Sequence, residues 1–307
     1  MQRYILLRVF HTIIALLAVS IIIFLLVRLS GDPVSTLLPA EATLEDIERV
    51  RIQWGLDRPL PEQYFAYMGN VLQGNFGESL KWRGQSASDL LLQRLPATLE
   101  LAGLALLVAS LAGLPIGVIS AVKKNTPTDF IAKTLALLGQ SMPSFWLGTM
   151  LIWLFSVQLG WLPSYGRGGI ANVIMPAVAL GLFQVAAVAR ITRSSMLDVL
   201  DSEYITLARI KGLPEWKVIW KHALRNAAVA PLTYFGVIIG GWISGSVVIE
   251  TVFAWPGVGL LSIEAIRSRD IPVVQTIVLF FSLVYCVSSL LVDILYAYLD
   301  PRIRYDS

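Results

Sequence analysis

Six long stretches of the sequence contain no aspartate, glutamate, lysine or arginine. They cover residues 9–27, 101–122, 134–158, 170–189, 226–249 and 271–292. A helix needs about 20 apolar residues to cross the hydrocarbon core of a bilayer. A charge at the centre of such a helix costs about 2.5–3.5 kcal/mol on insertion scales. The pattern therefore predicts an all-α, polytopic membrane protein with six transmembrane helices.

The composition agrees with a membrane protein. Hydrophobic residues make up 56% of the chain and charged residues 15%, whereas an ordinary soluble chain has roughly 25% charged residues. The first apolar stretch follows basic residues, as in a signal peptide. It is too long for a signal peptide, whose apolar region runs to about 15 residues, and no A-x-A-like cleavage site follows it. We therefore expect residues 1–29 to be a retained N-terminal transmembrane helix.

Lysine and arginine are concentrated in alternate connections between the apolar stretches. They precede the first stretch, join the second to the third, occur seven times between residues 190 and 225, and follow the last stretch. Because basic connections stay on the cytoplasmic side, both termini and the 190–225 connection are expected in the cytoplasm. Residues 30–98 are then an external segment. Residues 99–307 form the core transmembrane domain, with a cytoplasmic loop at about 197–225.

This cytoplasmic loop predicts two short helices joined by a tight bend. Ser202 can cap a helix from Glu203 to Lys211, and Gly212 can end it. Pro214 suits the first turn of a second helix that runs to about Arg225. From these residues alone, an amphipathic hairpin lying on lipid headgroups is an open alternative.

The loop string EYITLARIKGLPEWKVIWKHALRNA resembles the EAA loop of ABC importer permeases, in the dipeptide/oligopeptide/nickel branch and of the first-permease type. Other strings resemble the same family in the same order: FLLVRLSGDPV, RLPATLEL, MPSFWLGTMLIWLFSVQLGWLPSYG and VIETVFAWPGVGLLSIEAIRSRDIPVVQ. The resemblance departs at Ile210, where a small residue is usual, and at Asn75, where aspartate is common. It implies an ABC type I importer permease fold in a bacterial or archaeal inner membrane.

The resemblance also implies partners. This chain would be the non-catalytic transmembrane subunit of an ATP-driven importer, with a second homologous permease, two ATPase subunits or sites and an external substrate-binding protein. The sequence contains no G-x-x-x-x-G-K-[ST] phosphate loop, so partner ATPases would bind ATP and Mg, and no cofactor is expected in this chain. Short peptides are the leading substrate class. Nickel complexes, glutathione and opine-like solutes are alternatives that relatives handle.

Carried over residue by residue, the resemblance places ATPase coupling on Glu203, Ala208, Gly212, Leu213 and Pro214. A polar pathway or an external mouth with exposed aromatic side chains is expected at Gln140, Gln184, Ser244, Trp255, Pro256 and Gly257. Polar groups inside a membrane also join helices for structural reasons, so this alternative stays open. Two small-xxx-small pairs, Gly236 with Gly240 and Gly241 with Gly245, favour close helix packing, either with a second permease or within this chain.

The sequence also argues against other classes of protein. A metal enzyme is disfavoured because two histidines and one cysteine are scattered along the chain, and no metal site is expected. An ion-coupled secondary transporter is the stronger alternative. Such transporters place ionisable groups inside their spans, and the charge-free stretches here argue against that.

Overall fold

The structure, a computed structural model, describes residues 2–29, 43–53 and 55–299. Within these residues the regular secondary structure is helical, and the only β pairing is an isolated bridge between Glu78 and Ser86. The prediction of an all-α protein is therefore confirmed. Two short π-helical segments, Ile152–Gln158 and Val218–Ala223, interrupt the α-helical runs.

The α-helices of the described residues are numbered in chain order. They are α1 (Gln2–Leu29), α2 (Leu44–Gln53), α3 (Leu60–Leu72), α4 (Ala87–Val122), α5 (Pro127–Ser141), α6 (Ser144–Leu151), α7 (Ile170–Leu200), α8 (Glu203–Ile210), α9 (Glu215–Lys217), α10 (Leu224–Ala227), α11 (Val229–Gly245), α12 (Val247–Val252), α13 (Val258–Arg267) and α14 (Ile271–Leu299).

Four of these helices are long and apolar enough to cross a membrane: α1, α4, α7 and α14. They coincide with four of the six predicted spans. The predicted fifth span corresponds to α11, which has 17 residues and is about 25 Å long at 1.5 Å per residue. A hydrocarbon core is about 30 Å thick. The count of six spans therefore remains a prediction.

The predicted third span is not one continuous helix. Helices α5 and α6 meet at a bend of 97° and form a fifth candidate span only if they are taken together. Met142 at the break is extended, with φ −84° and ψ 127°. Pro143 accounts for this, because proline removes a backbone donor and its ring disfavours the helical conformation of the residue before it.

The chain divides into two compact units, and the predicted division into residues 1–29, 30–98 and 99–307 stays a prediction. One unit contains the residues up to Pro96 together with those from Gly257 onward, and the other runs from Ala97 to Pro256. In the first unit α1 packs along α14, and α13 also packs on α14. A buried apolar cluster including Leu90, Leu261 and Ile277 joins α4, α13 and α14.

Within the first unit, the predicted external segment is tied to the start of α14 by Asp270. This carboxylate is fully buried. It accepts hydrogen bonds from the Ser79 hydroxyl and from the backbone N–H of Lys81, the latter at 3.1 Å. A buried carboxylate is costly unless its oxygens are paired, so these donors fix the chain around residues 79–81 against the helix.

In the second unit, α7 is the element on which α5, α6, α11 and α12 all pack. The buried core between them includes Leu101 of α4, Met175 of α7 and Trp242 of α11. Fourteen residues of α7 are buried, which is far more than one apolar stripe of a surface helix would supply. The helix is therefore enclosed by its neighbours over much of its circumference.

Three glycines allow α4 and α7 to approach each other closely. A Cβ atom built on Gly181 would lie 2.6 Å from the carbonyl oxygen of Ala105, and one on Gly117 would lie 2.6 Å from that of Ala189. A Cβ on Gly113 would lie 2.7 Å from a methyl carbon of Val188. Helices in membranes pack best where small residues let their backbones meet, and these positions provide that contact.

We predict that Gly181→Ala destabilises the protein by about 1–3 kcal/mol, the usual cost of overpacking a core. The added methyl group would collide with backbone, which can move only if α4 and α7 separate. Thermal unfolding of the purified protein in mild detergent measures the effect. Gly103→Ala in α4 is the matched control, because a Cβ there meets no atom within 4 Å. Equal melting temperatures for the two variants would contradict the packing argument.

Candidate functional site

The predicted bend of the cytoplasmic loop is a Schellman motif, a hydrogen-bonded helix end that is completed by a left-handed residue. Gly212 has φ +74° and donates its N–H to the carbonyl of Arg209 at 2.9 Å. Leu213 donates to the carbonyl of Ala208 at 3.3 Å. In this motif an apolar residue after the glycine packs back on the last turn. Ala208 and Leu213 both pack against the same buried cluster, which explains why these residue types occur at this spacing.

The helices on either side of the bend follow the prediction with two differences. Helix α8 starts at Glu203 as expected and ends at Ile210. Ser202 precedes it, but the Ser202 hydroxyl does not cap α8 and donates instead to the carbonyl of Val199 at 2.5 Å. After Pro214, the predicted second helix is α-helical for only three residues, becomes π-helical at Val218–Ala223 and continues as α10.

The loop is anchored to the transmembrane helices by a buried apolar cluster. Ile205 of α8 and Val218 of the π-helical segment are fully buried, together with Met196 of α7. Val118 and Ala121 of α4 complete the cluster from the other side. Because protein interiors are close-packed and barely compressible, a force on the loop is passed to α4 and α7.

The outer surface of the loop carries exposed apolar side chains. Tyr204, Leu207 and Ile210 recur every three residues along α8, and their exposed fractions are 43%, 50% and 76%. Trp216 beyond the bend is 62% exposed. Ile210, which departs from the family pattern, is thus a surface residue. Exposed apolar side chains grouped on one short loop are typical of an interaction site. We refer to these four residues as the apolar stripe.

Polar contacts hold the two halves of the loop together. The Arg209 guanidinium pairs with the Glu215 carboxylate across the bend at 2.8 Å. Both side chains are substantially exposed, so the pair contributes at most about 1 kcal/mol. The Asn226 amide donates to the Tyr204 hydroxyl at 2.7 Å, which links α10 to α8. Glu203 is exposed at the N-terminus of α8, where a negative charge is favourable.

Residues 113–305 match the family described as the inner membrane component of binding-protein-dependent transport systems. Residues 1–102 match the N-terminal region of such membrane components. The chain belongs to this permease family. It is a multi-pass membrane subunit of an ABC importer, which decides against the ion-coupled secondary transporter.

Relatives and solved structures agree with this assignment. A peptide transport system permease of Brucella abortus is 43% identical over 315 residues, with both chains fully covered. The glutathione transport system permease of Escherichia coli K12 is 41% identical, covering 99% of this chain and 100% of the relative. The fold is also similar to that of a methionine ABC transporter in an inward-facing conformation. That likeness has a TM-score of 0.58 and 17% identity, covering 69% of the permease and 96% of the solved chain.

The residues predicted to line a pathway lie at separate places in the permease. Gln140 lines a cavity of about 370 Å³ together with Lys133 and Arg190. Gln184 of α7 accepts a hydrogen bond from the Tyr234 hydroxyl at 2.8 Å, so it joins two helices. The Ser244 side chain lies outside the described residues. A pathway role for these three residues remains a prediction.

The expectation of exposed aromatic side chains around Pro256 is wrong for the two aromatic residues of that loop. Trp255 is fully buried, and its indole N–H donates to the carbonyl of Ala97 at 2.8 Å. Phe253 is 1% exposed, Gly257 is buried and Pro256 is half-buried. The indole is therefore enclosed in an apolar core, and its N–H is satisfied there by a backbone carbonyl of α4.

The sequence analysis missed Glu250, a fully buried carboxylate in α12. The Thr98 and Ser246 hydroxyls donate to the same carboxylate oxygen at 2.8 and 2.7 Å. The available signal was an acidic residue placed directly after the charge-free stretch 226–249. Its buried hydrogen bonds tie α12 to α4 within the second unit.

We predict that Trp255→Phe lowers the free energy of unfolding by about 1–3 kcal/mol, because a buried hydrogen bond is lost and the smaller ring leaves space in the core. The carbonyl of Ala97 would lose the indole donor. Thermal unfolding in detergent measures the change. Trp161→Phe is the control because Trp161 is 69% exposed. If both variants melt alike, the buried hydrogen bond does not stabilise the loop.

Proposed function

We propose that this permease imports short peptides and that its apolar stripe docks on a partner ATPase. The observation that carries the proposal is a surface of exposed apolar side chains on a loop whose base is packed against α4 and α7. A partner can bury the apolar stripe when it binds. The packed base of the loop would then pass movement of the loop to α4 and α7. Glu203, Ala208, Gly212, Leu213 and Pro214 are the proposed coupling residues.

The proposed complex contains a second homologous permease, two ATPase subunits or sites and an external substrate-binding protein. The family description, which refers to binding-protein-dependent transport, supports the last of these. The sequence lacks a phosphate loop, and we therefore assign ATP and Mg to the ATPases and propose no catalytic activity or cofactor in this chain. Peptides are preferred as substrate because the relative from Brucella carries that name. Glutathione, itself a tripeptide, is the alternative supported by the relative from Escherichia coli.

The docking proposal predicts that Ile210→Asp removes the ATPases from the purified complex. A carboxylate at this exposed position would be desolvated in the interface but remain hydrated in the free permease. The complex is extracted in mild detergent, and the co-purified chains are identified and quantified. Ile52→Asp, at a site that is 59% exposed in α2, is the matched control. Full recovery of the ATPases with Ile210→Asp would contradict docking at the stripe.

The geometry of the bend gives a second test at Gly212. A Cβ there meets no atom within 4 Å, so only the positive φ opposes a side chain. Valine is a strong outlier at positive φ, whereas asparagine adopts it readily. We expect Gly212→Val to cost about 1–2 kcal/mol in the native bend.

The Gly212 variants are compared by ATP-dependent uptake of a tripeptide into vesicles that contain the complete complex. Gly212→Val should reduce uptake while the amount of inserted permease stays constant, and Gly212→Asn should retain it. Equal uptake by both variants would show that the left-handed bend is not required for coupling. Uptake by wild type without ATP would refute the proposed energy source.

A further inference from the structure

A cavity of about 370 Å³ lies between α4, α5 and α7 in the second unit. Its polar lining includes Lys133 of α5 and Arg190, Arg193 and Ser194 of α7. Leu137 and Ala186 contribute apolar wall. No acidic residue is among the residues that line this cavity, so a ligand in it would meet cations and hydroxyl groups.

The nearest carboxylate, Asp129, is already committed to other groups. It is 1% exposed and accepts hydrogen bonds from the Ser120 hydroxyl and the Asn125 backbone. It also pairs with Lys133 at 2.8 Å and with Arg193 at 3.1 Å. Arg190 makes no ion pair with any of the residues that the structure describes. Three cations against one carboxylate leave an excess of two positive charges at the cavity.

The positions of these cations along their helices indicate where the cavity lies relative to the membrane. Lys133 directly precedes the charge-free stretch 134–158, and Arg190 directly follows the stretch 170–189. Both cations therefore lie at the predicted cytoplasmic boundary of the hydrocarbon core. Leu137 is one turn further into the membrane from Lys133, and Ala186 is one turn further in from Arg190. The cavity is cationic at the headgroup level and mostly apolar below it, where Gln140 is the polar residue of the lining.

We propose that this cavity binds an anionic phospholipid of the cytoplasmic leaflet. Its phosphate would be held by the Arg190 guanidinium with Lys133 and Ser194, and an acyl chain would lie against Leu137 and Ala186. Basic pockets between transmembrane helices on the cytoplasmic side bind anionic headgroups in this way. The excess positive charge selects a lipid with net negative charge over a zwitterionic one. A bound lipid would brace α5 against α7 next to the base of the coupling loop.

The experiment titrates the detergent-purified complex with phosphatidylglycerol or with phosphatidylcholine of the same acyl chains. Native mass spectrometry counts the bound lipids. Wild type should retain phosphatidylglycerol in preference to phosphatidylcholine. Arg190→Gln should weaken phosphatidylglycerol binding about fivefold or more, the effect of one basic residue near an anionic lipid. Arg190 is exposed, so its replacement leaves the fold intact, which the melting temperature without lipid checks.

Lys124→Gln is the control, because Lys124 is exposed in the turn after α4 and does not line the cavity. Equal weakening by both variants would indicate diffuse attraction to the charged surface and overturn the proposal.

Two competition experiments test for other occupants of the cavity. Displacement of the lipid by millimolar inorganic phosphate would show a site for free anions. Displacement by a tripeptide would assign the cavity, with Gln140, to the substrate path. Retention of the lipid against both competitors supports the lipid site.

Discussion

The packing of α7 against α4 is the contact on which the second unit depends. Three glycines bring the two backbones together, and α5, α6, α11 and α12 then pack on α7. Lipid tails are as apolar as leucine, so hydrophobicity alone does not hold helices together in a bilayer. Close van der Waals contact over a long interface provides the stabilisation, and a side chain larger than hydrogen at these positions would remove it.

The same hydrogen-bonded turn ends two helices of this unit. Gly212 ends α8 in the cytoplasmic loop proposed to bind the ATPase, and Ala254 with φ +45° ends α12 beside the buried Trp255. In each case the residue after the left-handed position donates to a carbonyl five residues earlier, at 3.3 Å for Leu213 and 2.8 Å for Trp255. Both turns are closed by hydrogen bonds and by an apolar side chain that packs inward, partly buried for Leu213 and fully buried for Trp255. They are therefore rigid changes of direction, which transmit movement better than a flexible connection does.

The sequence predicted helices well where one constraint acts alone. Charge-free stretches identified α1, α4, α7 and α14, because burial in a bilayer forbids charges and requires internally bonded backbone. The bend of α8 was also predicted, since glycine and proline act through local conformation. The break at Pro143 was missed because membrane helices can tolerate proline when neighbouring groups satisfy the freed backbone. Whether neighbouring groups satisfy the freed backbone depends on tertiary packing, which the sequence of one segment does not determine.

The residues proposed for ATPase coupling lie within one contiguous segment, so local chemistry alone places them together. The exposure of Tyr204, Leu207 and Ile210 could not be predicted from the loop alone. It depends on which face of α8 packs against α4 and α7, and that is the face that carries Ile205. Close helix contacts were expected at glycines of α11, against a second permease or within the chain, and this stays a prediction, whereas the structure shows such contacts at three glycines of α4 and α7. Gly241 of α11 has no atom within 4 Å of a built Cβ. Tertiary contacts decide which glycines are used.

An acidic residue near the end of a charge-free stretch can be either solvated or buried, and the sequence alone does not distinguish the two. Asp129, Glu250 and Asp270 all lie close to the ends of charge-free stretches, as solvated boundary residues would, yet each is at most 1% exposed. Serine or threonine hydroxyls donate to all three. A carboxylate has two acceptor oxygens with about four lone-pair sites, so it can accept donors from several segments at once. These acids therefore join separate segments from inside the protein: Asp270 joins a loop to α14, Glu250 joins α12 to α4, and Asp129 joins α5 to α4 and α7.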